Sequence, residues 1–243
     1  MTCTEVRELI DDAIAGRLAP ADLAAIEQHA AACPACRADL DAAIASLTGD
    51  IIVQEYIPGL ELGVFYYRHP HERRGRIFSI TEKRFPSVQG DGRSTLEALI
   101  LADERAVCLS PVHARVHAAH LHRVPGYGES VPLVEIGSHC RGALFLDASH
   151  LVTPALEDAF DAVAQEFGGF YFGRFDVRTP SLADFTERSV FTVLELNGVT
   201  SESTNIYDPG HSLWRAYRVL AAQWRLAFEI GAENRRRGVM PAS

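Results

Sequence analysis

Lysine is nearly missing from this sequence: Lys83 is the only one in 243 residues, and arginine supplies the rest of the 23 basic side chains. Positive charge of either kind is outnumbered by 32 acidic residues, for a net charge of −9. A broad phosphate-binding footprint needs a concentrated basic surface, so nucleic acid is not an expected partner. Long apolar runs are also lacking. None approaches the ~18 residues that cross a bilayer, and no basic segment precedes an apolar one as in a leader, so neither a membrane partner nor export is expected and the location expected is cytoplasmic. Cysteine is scarce, odd in number at five, and front-loaded, with three in the first 36 residues. That pattern suits a metal site better than a disulfide framework. What is present in ordinary amounts is core material, 47 % hydrophobic against 23 % charged, which excludes disorder as the main state.

Composition changes at Thr48-Gly49-Asp50, from an Ala-rich segment without aromatics to one with aromatics, glycines and β-branched runs. A boundary at 48–50 separates a domain at 1–47 from one at 50–243. In the first, Val6, Leu9, Ile10, Ala13 and Ile14 recur at helical spacing and Gly16 ends the run. Pro20 opens a second helix to about 32, and a third follows Pro34 with Leu40, Ile44 and Leu47. Three short helices bury too little to stand without a staple. Beyond 50 the periodicity is that of strands, at 51–53, 62–67, 77–80, 131–136, 143–146, 170–178 and 189–197. A capping box at Ser94 to Glu97 opens one helix and Thr153-Pro154 another. A last helix from Ser212 carries Leu213, Tyr217, Leu220, Trp224 and Phe228 on one side.

Two constellations carry chemistry. The first is Cys3 with His29-x3-Cys33-Pro34-Ala35-Cys36. Three thiolates and an imidazole form a closed tetrahedral set typical of structural zinc, and Cys-x2-Cys places two sulfurs on one turn. The alternative is a coincidence of small thiols and a histidine in an Ala-rich hairpin. The pattern resembles the zinc-binding anti-sigma domain over residues 1 to about 47, which implies a structural zinc and binding of a sigma factor rather than catalysis.

The second lies in Arg174-Phe175-Asp176 and Glu195-Leu196-Asn197. Strand alternation puts each pair of polar residues on one face, so adjacent strands gather a cation and three oxygen ligands. That donor set suits Mg²⁺ and phosphate, although a salt-bridged pair of edge strands uses the same residues. Here the chain, over about 50 to 243, resembles the C-terminal part of ATP-grasp ligases, especially the D-alanine-D-alanine ligase and cyanophycin synthetase branches. The likeness extends to Gln54-Glu55-Tyr56-Ile57-Pro58-Gly59-Leu60-Glu61, to Lys83 with Pro86 and Gly90-Asp91-Gly92-x2-Thr95, and to His139-Cys140-Arg141-Gly142. It implies that Asp176, Glu195 and Asn197 hold Mg²⁺ and that Arg174 stabilises the transferring phosphoryl group. It further implies that backbone at Glu55 to Ile57 meets adenine, Glu61 the ribose and Lys83 the nucleotide.

The fold class expected is α+β, a small zinc-stapled helical module followed by an ATP-grasp C-terminal subdomain, an antiparallel sheet with helices on one side. The function implied is a carboxylate-amine ligase using ATP and Mg²⁺, with small carboxylate and amine substrates. The family's N-terminal half, with its phosphate-binding lysines and Gly-rich loop, has no counterpart before Ile51. Turnover is therefore expected only with a complementing ATP-grasp half. The competing function is a zinc-binding regulator of the anti-sigma type, in which residues 1–47 bind a sigma factor and the second domain is a degenerate nucleotide sensor or inert. Three lesser features complete the reading. His113, His117, His120 and His122 have helical spacing; Ser201 to Thr204 form a polar loop after the candidate metal strand; and Cys108 and Cys140 are expected to be buried thiols.

Overall fold

The computed structural model describes residues 1–14, 20–45, 55, 57–134 and 142–239. The expected boundary at 48–50, the strand at 51–53 and the segment 139–141 with Cys140 lie outside these residues. In chain order the elements are α1 (Cys3–Ile14), α2 (Pro20–Ala32), α3 (Pro34–Ala45), β1 (Leu60–Tyr67), β2 (Arg76–Arg84), β3 (Ser87–Gln89), α4 (Leu96–Ala102) and α5 (Ser110–Val116). They continue with β4 (Ser130–Pro132), β5 (Leu144–Asp147), α6 (Pro154–Glu166), β6 (Phe172–Thr179), α7 (Leu182–Arg188), β7 (Thr192–Asn197) and α8 (Leu213–Arg236). The fold is α+β. Two compact units form, Met1–Glu55 with Phe85–Ala143 and Tyr56–Arg84 with Leu144–Ser243. No helix among the described residues is long and apolar enough to cross a membrane.

In the first unit, α1 to α3 surround a core of Val6, Ile10, Ile26 and Cys36. Residues 85–134 add the β3–β4 ribbon and α4, whose core is Val88, Leu96, Ile100, Ala106 and Leu133. The helix start is one residue later than the capping box suggests: Thr95 is the N-cap and accepts from the Ala98 amide. Ser94 instead bonds Asp91, whose carboxylate also accepts the amides of Arg93 and Ser94 and is held at a pKa of about 2 by those bonds.

The second unit is a five-stranded antiparallel sheet, in the order β5-β2-β1-β6-β7. Gly59 enters β1 at φ +124°, where a Cβ would collide with the Thr179 carbonyl. Alternation along β1 and β6 divides the two faces. Leu62, Val64, Tyr66, Phe175 and Val177 point to one, against Leu156, Phe160 and Ala164 of α6 and Phe185 of α7. On the other, Phe65 and Phe172 pack against Ile230 of α8. Helices thus cover both faces rather than the one expected, because β1 carries an apolar residue on each. The short helix α7 falls inside what reads in sequence as the approach to a strand, with Ser181 as N-cap. On α8 the aromatic stripe is not the buried one: Leu213, Tyr217, Trp224 and Phe228 are exposed, whereas Gln223 and Ile230 are buried.

Candidate functional site

The zinc centre is assembled at the junctions of the three N-terminal helices. Cys3 opens α1, His29 lies in the last turn of α2, Cys33 fills the break between α2 and α3, and Cys36 lies in the first turn of α3. The chain turns there because Pro34 has no amide to donate and its fixed φ suits the first helical position. The Cys33 amide still bonds the His29 carbonyl at 2.8 Å, which fixes the two ligands one turn apart. All four ligand atoms lie within 4.8 Å of one another. Cys3 Sγ is 3.4 Å from His29 Nε2 and 3.8 Å from Cys33 Sγ. A tetrahedral zinc with bonds of ~2.3 Å to sulfur and ~2.05 Å to nitrogen separates its ligands by about 3.8 Å (S to S) and about 3.5 Å (S to N). Donor type and spacing both fit the ion.

The thiols are electrostatically unequal. The Cys33 sulfur caps α3, where the Cys36 amide, the Cys3 thiol and then the Cys36 thiol lower its pKa to about 7. Burial, followed by the adjacent Cys3 and Cys33, raises Cys36 to about 11. A dication removes the conflict by taking both as thiolates.

The second constellation lies on the α8 face of the sheet. Cross-strand register sets Glu61 beside Lys83 on β2 and Arg178 on β6, Gly63 beside Asp176, and Asp176 in turn beside Glu195 on β7. Arg174 pairs with Asn197 in the same register. Lys83 Nζ donates to Glu61 Oε1 at 2.8 Å and lies 3.3 Å from Asp176 Oδ1. Arg174 grips Asp176 with two bonds of 2.9 and 3.1 Å, and Asn197 Nδ2 donates to Asp176 Oδ2 at 3.3 Å. Arg178 bonds Glu61 Oε2 and donates to the Ile57 carbonyl at 2.6 Å. Glu61, Lys83, Asp176 and Arg178 are all buried. Such groups are tolerated inside only when paired and hydrogen-bonded, a condition this network meets.

Most of the expected residues therefore meet here. Glu195 stands opposite Asp176 but is exposed, Ile57 contributes its carbonyl, and Glu55 is exposed. Arg178 and Gly63 were not among them. The first was legible as the next same-face position after Arg174 and Asp176. The second shows its role only in three dimensions, since a Cβ there would lie 3.3 Å from both the Arg174 side chain and Asp176 Oδ1. Its missing side chain leaves room above the carboxylate. The polar loop after β7 comes to the same place: Ser203 and Thr204 are buried, Ser203 bonds Ser79 and Asn205, and its amide donates to Gln223 of α8. Thr204 Oγ1 is buried without a hydrogen-bond partner, 3.6 Å from where a Gly63 Cβ would be.

The histidine run is not a metal cluster among the described residues. His113 and His117 are buried, His117 bonding the Leu133 carbonyl at 3.2 Å, and His120 pairs with Asp22. Cys108 is exposed rather than buried, Ala106 being the residue its turn puts into the core.

Residues 3–37 match the family model described as "Putative zinc-finger". No curated protein matches the sequence. Among solved structures, a bifunctional glutathione synthetase from Pasteurella multocida aligns with 70 % of this chain at 13 % identity and a TM-score of 0.40. The chain spans 24 % of that protein's length.

Proposed function

We propose that the sheet unit binds Mg²⁺-ATP and belongs to a carboxylate-amine ligase in which a substrate carboxylate is phosphorylated and an amine then displaces phosphate. One observation carries this reading: Glu61, Lys83, Arg174, Asp176 and Asn197 converge on one buried face with Glu195 at its rim. Three oxygen ligands from Asp176, Glu195 and Asn197 suit a hard dication, and Mg²⁺ supplies charge neutralisation at the phosphates. Both Asp176 oxygens are already occupied by cations and an amide. Arg174 and Lys83, which hold Asp176 here, would turn to phosphate oxygens when a metal-nucleotide is bound. Arg174 then stabilises negative charge on the transferring group, while Glu61 holds the ribose. The backbone near Ile57 and Glu55 meets adenine.

Calorimetry of the full chain with Mg²⁺-ATP tests this. Weak binding, in the high micromolar range, that disappears in Asp176→Ala and in Glu195→Ala is expected. Indifference to both substitutions would overturn it. Without a partner polypeptide carrying the other half of the clamp, ADP release is expected to be undetectable.

A second reading is favoured by the match over residues 3–37. In it residues 1–47 bind a sigma factor, and the sheet unit responds to nucleotide. Co-purification of the chain with a sigma factor, lost in Cys33→Ser, supports it; no complex with any sigma factor of the same cell removes it.

A further inference from the structure

At the far end of α8 a second group of metal-competent side chains comes together. His69 and His71 stand on the turn after β1, and Glu233 on the last turns of α8; one ligand atom from each lies within 4.8 Å of the others. We propose that His69, His71 and Glu233 bind a divalent transition-metal ion, with zinc the best fit. Two imidazoles and one carboxylate are a borderline-soft donor set that zinc takes up, and three protein ligands leave a position open.

The surroundings are those of a supported site rather than of three side chains that happen to be close. His71 Nδ1 and Glu233 Oε2 are already 2.8 Å apart. Arg237 holds the other Glu233 oxygen at 2.9 Å and donates to the Pro70 carbonyl at 2.7 Å, so one guanidinium ties the carboxylate to the turn between the two histidines. Outer partners of this kind orient metal ligands. Pro70 fixes φ between the histidines, and their rings lie 5.5 Å apart with the edge of Tyr67 against His69. Glu233 retains 13 % of its side-chain exposure and is held in place by His71 and Arg237. The three side chains line a cavity of about 390 Å³ together with Phe228, Glu229, Ala232 and Arg236, with room for water or a small anion. On binding, His71 Nδ1 exchanges its hydrogen bond to Glu233 for the metal, and any proton it carries leaves to solvent. The ion then pins the C-terminal turn of α8 to the β1–β2 connection.

The experiment counts metal on the full chain. Zn²⁺ is titrated into the protein, H71A and E233Q, with stoichiometry from elemental analysis after gel filtration. One equivalent fewer in each variant than in the parent is expected. Because the result is a difference, it does not depend on the cysteine site. His71 is exposed, so H71A keeps the fold. Co²⁺ supplies a second readout. The cysteine site gives intense sulfur charge-transfer bands, unchanged in H71A, whereas the proposed site adds only weak visible absorption, lost in H71A. Equal stoichiometry in parent and variants, or an extra equivalent that survives both substitutions, overturns the proposal.

Discussion

The cysteine cluster and the ionic face of the sheet are both gatherings of ionisable groups, yet they are balanced in opposite ways. Around Cys3, His29, Cys33 and Cys36 the neighbouring cation, Arg7, is held by Asp39, and the thiols bond to one another, to His29 and to the Cys36 amide. Around Asp176 and Glu61, Lys83, Arg174 and Arg178 supply the compensation themselves. A face whose charges are already paired folds without any ion. A site whose ligands repel when ionised requires the ion in order to fold.

The largest effect expected from this difference is on chelation. Structural zinc contributes folding free energy on the order of 10 kcal/mol in small fingers, more than three helices around Val6, Ile10 and Ile26 supply on their own. Removing zinc, or substituting Cys33→Ser, is expected to abolish amide protection across residues 3–45 while β1, β2 and β6 stay protected. Hydrogen exchange resolves the two regions in one sample. Helices that remain protected after zinc loss would break the comparison.

A smaller effect separates the members of the ionic network. Asp176→Ala strips Arg174 and Lys83 of a shared buried carboxylate and is expected to cost about 3–5 kcal/mol in urea denaturation of the sheet unit. Lys83→Met leaves Glu61 to Arg178 and Asp176 to Arg174, and is expected to cost roughly 1 kcal/mol. Similar losses from the two would show that the charges act singly rather than as a balanced group.

The same contrast decides what the sequence makes legible. The zinc site could be read from spacing because its ligands sit on helix turns whose geometry is local; His29, Cys33 and Cys36 span eight residues. The sheet site was half legible. Alternation within β6 and β7 placed Arg174, Asp176, Glu195 and Asn197, but nothing local shows that Arg178 reaches Glu61, 117 residues away, or that Gly63 leaves a gap over Asp176. The stripe on α8 misled for a related reason. Its aromatics have helical periodicity, but Gln223 rather than Trp224 is buried, accepting from the Ser203 amide and donating to the Ser201 carbonyl. Periodicity finds a stripe and does not tell which stripe is buried.

The smallest expected effect concerns a third kind of buried polar group, one with neither cation nor metal to balance it. His113 and His117 are held below the usual imidazole pKa of 6.5, first by burial and, at His113, by the neighbouring His117. Both are therefore neutral in the folded protein near neutrality. Below pH 6.5 the unfolded chain binds protons that the folded chain resists, so the stability these two contribute is complete above that pH and is lost as pH falls through their lowered folded values. Protection factors of amides in residues 96–133, each taken against its intrinsic exchange rate at that pH, are expected to fall between pH 7 and pH 5, while those of β1 and β6 change less. His117→Gln, which keeps a donor for the Leu133 carbonyl but cannot titrate, is expected to flatten that dependence. A pH profile unchanged by the substitution would place the acid sensitivity in His113 or in another titratable group rather than in His117.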